Sequence, residues 1–132
     1  MALDDDEVRE LLTVARSVAI VPASSNPRMS SHRIGTYLTD AGYEVHPLAT
    51  LDELADPPDI VYGFVGPGDA PVLAEQAADA GARAVWLHEG IVSPAAERVA
   101  ERRGVAIVVD RSMEVEHKVL LRGEQRVYFM PM

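Results

Sequence analysis

The side chains best suited to chemistry are crowded into one short stretch. Ser24, Ser25, Asn26, Arg28, Ser30 and Ser31 follow the apolar run Val18-Ala19-Ile20-Val21 within a dozen residues. Beyond them Ile34, Tyr37, Leu38 and Ala41 recur at i, i+3, i+4 and i+7, the spacing of one helical face. Ser30 or Ser31 is placed to cap that helix. A strand, a loop of small hydroxyl residues and a helix start make an anion site, because unpaired N–H groups and the positive end of the helix dipole face the loop. Arg28 adds a planar donor fork that suits phosphate.

Other chemistries find less support. His32, His46, His88 and His117 show no metal-ligand spacing. His88 stands beside Glu89, but no nucleophile or oxyanion loop accompanies the pair. The absence of cysteine excludes disulfides, thiolate catalysis and cysteine-bound metal. No G-x-G-x-x-G follows the first strand, and the second strand ends in His46-Pro47 without an acid for a ribose, which disfavours NAD. A G-x-x-x-x-G-K-[ST] loop is also missing, which disfavours ATP hydrolysis.

Alternating elements must position these residues. The pattern predicts helices over residues 4–16, 31–41, 69–80 and 93–103, with strands over 17–21, 43–46, 59–65, 84–87 and 105–109. Residues 48–54 read as a short helical connection and 113–121 as a short helix. Val127-Tyr128-Phe129-Met130 reads as an edge strand or a partner-facing segment. Asp69 reads as a helix cap, Ser93-Pro94 as a cap followed by proline at the first helical position, and Gly42, Gly81 and Gly104 as helix ends. Trp86 is assigned to the core, Asp110 to a cap on the turn at Arg111, and Glu114, Glu116 and Lys118 to a solvated face. Several strands are continuous apolar runs, as expected where helices cover both sheet faces. The fold class expected is therefore α/β: a Rossmann-like, doubly wound, three-layer αβα sheet of about five mainly parallel strands.

The chain has 132 residues, the length of one domain, with a core over about 17–118 and a C-terminal tail over 119–132. Its formal net charge of −9 argues against general nucleic-acid binding. No apolar run approaches the roughly 20 residues that span a bilayer. The acidic start Asp4-Asp5-Asp6-Glu7 is unlike a secretory signal, so a cytoplasmic location is expected. A homodimer is left open.

Three ordered segments carry a resemblance. Ala23-Ser24-Ser25-Asn26-Pro27-Arg28 with Tyr37-Leu38 and Gly42-Tyr43 comes first. Val85-Trp86-Leu87-His88-Glu89-Gly90-Ile91 follows, and Asp110-Arg111-Ser112-Met113-Glu114-Val115-Glu116-His117 ends the series. Together, over residues 17–118, they resemble the CoA-binding family related to the CoA-binding domain of succinyl-CoA synthetase. The resemblance implies a Rossmann-like domain that binds coenzyme A or an acyl-CoA, a small-molecule partner held without catalysis. It places the phosphates at Ala23, Ser24, Ser25, Asn26, Arg28, Ser30 and Ser31, and the adenosine end near His46 and Pro47. Val65 and Gly66 after the third strand, with the turn from His88 to Gly90, would border the rest of the ligand. The chain departs from the family pattern at Pro22, where glycine is usual, and at Leu48, where asparagine is usual. Val65-Gly66, His88 and Ser112 replace basic residues, glutamine and cysteine. Two other readings remain: an interaction protein that kept the fold without CoA, and an enzyme acting on a CoA thioester or another nucleotide.

Overall fold

A computed structural model describes residues 1–125. The proposed edge segment at 127–130 lies outside the described residues. The chain runs α1 (Asp5–Val14), β1 (Ser17–Val21), α2 (Ser30–Asp40), β2 (Glu44–Pro47), a 3-10 turn (Leu51–Glu53), β3 (Ile60–Gly63), α3 (Ala70–Asp79), β4 (Ala84–Leu87), α4 (Pro94–Arg103), β5 (Ala106–Val108) and α5 (Met113–Glu116). A π-helical turn, His117–Leu121, extends α5. Among the described residues no helix is long and apolar enough to cross a membrane.

All strand pairs are parallel, in the order β2-β1-β3-β4-β5. Period-2 alternation along the strands separates two cores. Val18, Ile20, Ile60, Tyr62, Ala84 and Trp86 pack under α1, α2 and α5. Val21, Val61, Val85, Leu87 and Ile107 pack under α3 and α4. The expected doubly wound α/β sheet is therefore present. Its order reverses at β1, so the crevice available to a ligand lies beyond the carboxyl ends of β1 and β3.

Gly63 ends β3 where α3 comes closest. A Cβ there would fall inside the van der Waals radius of Leu73 Cδ2, so the missing side chain permits the approach. On the other face, Trp86 is fully buried and its indole N–H donates to the Arg111 carbonyl at 2.7 Å.

The first helix is fastened to the far end of the chain. Asp4 forms a capping box with Glu7. Ala2 N–H donates to Glu97 Oε1 at 3.1 Å and Leu3 N–H to the Ile107 carbonyl at 2.9 Å. Asp5 meets Arg111 Nη1 at 2.6 Å, and Arg9 Nε donates to the Leu120 carbonyl at 3.2 Å.

Several local expectations need correction. The N-cap of α2 is Met29, not Ser30 or Ser31, and no side chain caps it. The turn at Asn26 draws in the Met29 N–H, so the helix starts a residue early. Asp69 holds the cap position of α3 in a helical rather than extended conformation, and its side chain accepts no capping bond. The second strand starts at Glu44 because Tyr43 turns into the core and donates to the Leu12 carbonyl at 2.5 Å. Glu116 is buried, not solvated, since the C-terminal turns pack on α1 and α2. Asp110 serves a different loop: its Oδ1 accepts from Gly90 N–H at 2.6 Å.

Candidate functional site

The loop after β1 is built from its own short side chains. The chain leaves β1 through a cis Val21–Pro22 bond, and Ala23 N–H donates to the Leu48 carbonyl at 2.8 Å. Ser24 Oγ accepts from Asn26 N–H at 3.1 Å, and Asn26 Oδ1 accepts from Arg28 N–H at 3.0 Å. These bonds leave the N–H groups of Ser24, Ser25, Ser30 and Ser31 without partners among the described residues. The Ser24 hydroxyl still has its proton to donate, since that oxygen is used as an acceptor. The result is a cluster of donors at the positive end of α2.

A cavity of about 630 Å³ opens beside this cluster, between α2 and the edge strand β2. Ala23, Ser24, Ser25 and Ser31 line one end, and Ile20, Gly35, Val45 and Pro47 form an apolar wall. His32, Thr36, Thr39 and Asp40 complete it. Gly35 keeps the space open: a Cβ there would come within 3.2 Å of Ile20 Cδ1 and 3.8 Å of Val45 Cγ1.

Of the residues expected from sequence, Ala23, Ser24, Ser25, Ser31 and Pro47 line this cavity. Asn26, Arg28 and Ser30 belong to the same loop and helix start without lining it. His46 does not join them. Alternation along β2 sends it to the other side of the strand, where its Nε2 lies 3.1 Å from Glu44 Oε1 and it borders a separate cavity with Leu48 and Leu54.

Val65, Gly66, His88 and Gly90 sit on the loops beyond β3 and β4, outside the cavity lining. Val65 packs on the α3–α4 core. Gly66 supplies the carbonyl that receives Asp69 N–H, and Gly90 adopts a positive φ of 87° beside Asp110. His88 is set in an aromatic stack, with its ring centroid 4.7 Å from Phe64 and 5.8 Å from Tyr62. Its Nδ1 lies 2.7 Å from the Tyr62 hydroxyl, which also accepts from Met113 N–H at 3.0 Å. The direction of the Tyr62–His88 hydrogen bond follows the His88 tautomer, since the phenol oxygen can accept as well as donate. Burial, opposed by Glu89 and assisted by Arg33, holds the imidazole below its ordinary range. Burial also pushes the Tyr62 phenol up.

Sequence reading missed His32, Gly35, Thr36 and Thr39. They recur at i, i+3, i+4 and i+7, a second helical stripe beside the apolar one. That spacing was the signal available for them.

The fold is that of a doubly wound α/β protein, with a donor-lined cavity beside the loop that follows β1. Residues 16–118 match the family model of the CoA binding domain, and the chain belongs to that family. It is 28% identical over 126 residues to uncharacterized protein YneT of Bacillus subtilis strain 168, covering 86% of this chain and 93% of that protein. Prb, a PH1109 protein redesigned for binding, is a similar solved structure with 31% identity and a TM-score of 0.86; the match covers 94% of this chain and 96% of that one. A hypothetical protein from Pyrococcus horikoshii OT3 has 30% identity and a TM-score of 0.84, over 90% and 93% of the two chains.

Proposed function

We propose that this chain binds a CoA-type ligand, coenzyme A or an acyl-CoA, and holds it without catalysing its conversion. The observation that carries this reading is the set of partnerless N–H groups at Ser24, Ser25, Ser30 and Ser31 beside the cavity. They and the serine hydroxyls hold the pyrophosphate, and Arg28, whose guanidinium has no ion pair among the described residues, supplies the countercharge. The adenine lies along the apolar wall at Gly35, Val45 and Pro47. The thiol arm leaves across Val65, Gly66 and His88. A binding role also fits His88, whose ring is engaged by Tyr62 and stacked on Phe64. On the same reading the protein works in the cytoplasm on a small molecule, and its charge of −9 does not suit nucleic acid.

Isothermal titration with CoA tests the proposal. Saturable binding is expected, with Arg28→Ala weakening it by about tenfold, the low end for a hydrogen bond to a charged group. Silence toward CoA, acetyl-CoA and 3′-dephospho-CoA in a folded sample would reject it. Hydrolysis of acetyl-CoA that vanishes in His88→Ala would replace holding with catalysis.

A further inference from the structure

The serine loop carries its donors on the backbone, so positive side-chain charge must come from residues that approach the start of α2. Arg33 is the fourth residue of that helix. Helical side chains lean toward the N-terminus, so its stem leads back over the turn where Ser30 and Ser31 present free N–H groups. It stands about 100° around the helix from His32. His32 lines the cavity, whereas Arg33 lies outside the lining and faces Glu114 of α5. Its charge also reaches His88 beyond β4, where it adds to burial in holding the imidazole down.

The Arg33 side chain is 64% exposed, and its guanidinium makes no hydrogen bond among the described residues. Its Nε lies 3.7 Å from Glu114 Oε1. Among the described residues no arginine–carboxylate pair is longer; Arg111 closes on Asp5 at 2.6 Å and Arg103 on Asp79 at 2.7 Å. Glu114 is incomplete as well. Its Oε2 accepts from Lys118 Nζ at 2.8 Å, but Oε1 is buried and has no hydrogen-bond partner among the described residues. An orphaned carboxylate oxygen thus lies beside an unused donor fork, and the two are held by charge alone. Little is lost when the guanidinium turns to another anion, because Lys118 still compensates the carboxylate.

Resting on the CoA-type reading, we infer that Arg33 binds the phosphate from which the ligand's thiol arm departs, and that Glu114 holds the guanidinium until that phosphate arrives. The serine N–H groups meet the diphosphate from the helix end, Arg28 from the loop and Arg33 from the side of His88. This suits a ligand whose adenine enters the cavity on one side of α2 and whose arm crosses His88 on the other. Exchanging Glu114 for phosphate replaces a loose contact with charge-assisted hydrogen bonds.

The test is titration of the full chain with CoA in a double-mutant cycle of Arg33→Ala and Glu114→Gln, with circular dichroism to confirm the fold of each variant. Arg33→Ala is expected to weaken CoA by about tenfold. Glu114→Gln removes the competing carboxylate. It should tighten CoA by about threefold to fivefold in the otherwise unmodified chain and have little effect once Arg33 is gone. The nucleotide half alone, 3′,5′-ADP, lacks the phosphate that carries the arm, so Arg33→Ala should leave its binding nearly unchanged. Three outcomes overturn the Arg33 assignment and leave the CoA-type reading standing: CoA binding unchanged in Arg33→Ala, an equal gain from Glu114→Gln in both backgrounds, or an equal loss for 3′,5′-ADP. Failure of CoA to bind the unmodified chain overturns that reading together with this one.

Discussion

Two histidines make the protein's stability depend on pH in a stated direction. Burial holds both His88 and His117 below the ordinary imidazole value, with Arg33 adding to the effect at His88 and Arg122 at His117. The unfolded chain therefore takes up protons near pH 6.5 that the folded chain resists. The stabilisation is complete above that pH and is lost as pH falls through the depressed folded values. Thermal midpoints measured from about pH 7.5 down to about pH 5 should fall, with a shallower slope in His88→Gln. An unchanged slope in that variant would remove His88 from the account. At this scale the sequence was readable where residue type alone implies a turn, as at Ser24 and Asn26. It was unreadable at Asp40, Thr36 and His46, whose placement depends on which side of a helix or strand faces the cavity.

The four long helices and the five strands were legible because apolar spacing and helix-ending glycines agree, yet not all of the helix caps were. Ser93 caps α4 as expected and Asp4, read as the first residue of its helix, instead caps α1, whereas Met29 and Asp69 leave α2 and α3 without side-chain caps. Those two helices follow β1 and β3, the strands that flank the switch point. The helix expected over 113–121 is present, with its second half a π-helical turn whose packing was hidden for a different reason. It packs against α1, more than a hundred residues earlier, and no local signal reports such a contact. Asp4→Ala should lower folding stability by about 1 kcal/mol through loss of its capping box, readable in urea denaturation. Gly63→Ala should cost about 1–3 kcal/mol because Leu73, buried in the α3–α4 core, must move aside. A neutral Gly63→Ala would mean that α3 yields to β3 more readily than this packing implies.

Over the whole molecule, charge and site have opposite signs. A protein of net charge −9 repels an anionic ligand at long range, even though the loop at Ser24, on the proposed reading, attracts it at contact. Raising ionic strength from about 10 mM to about 150 mM shortens the screening length from about 30 Å to about 8 Å, and the association rate should rise. Stopped-flow binding would reveal this; a rate that falls with salt would mean that local attraction outweighs the overall field.

The fastening of the first helix has a consequence for biosynthesis. The partners of Ala2, Leu3, Asp5 and Arg9 are Glu97, Ile107, Arg111 and Leu120, so this segment must wait for residues that are synthesised much later. Until then its buried face, Val8, Leu11 and Leu12, lacks the turn His117–Leu121 that packs on α1. A nascent chain stalled before β5 should therefore expose that helix to protease, and completing the chain should protect it.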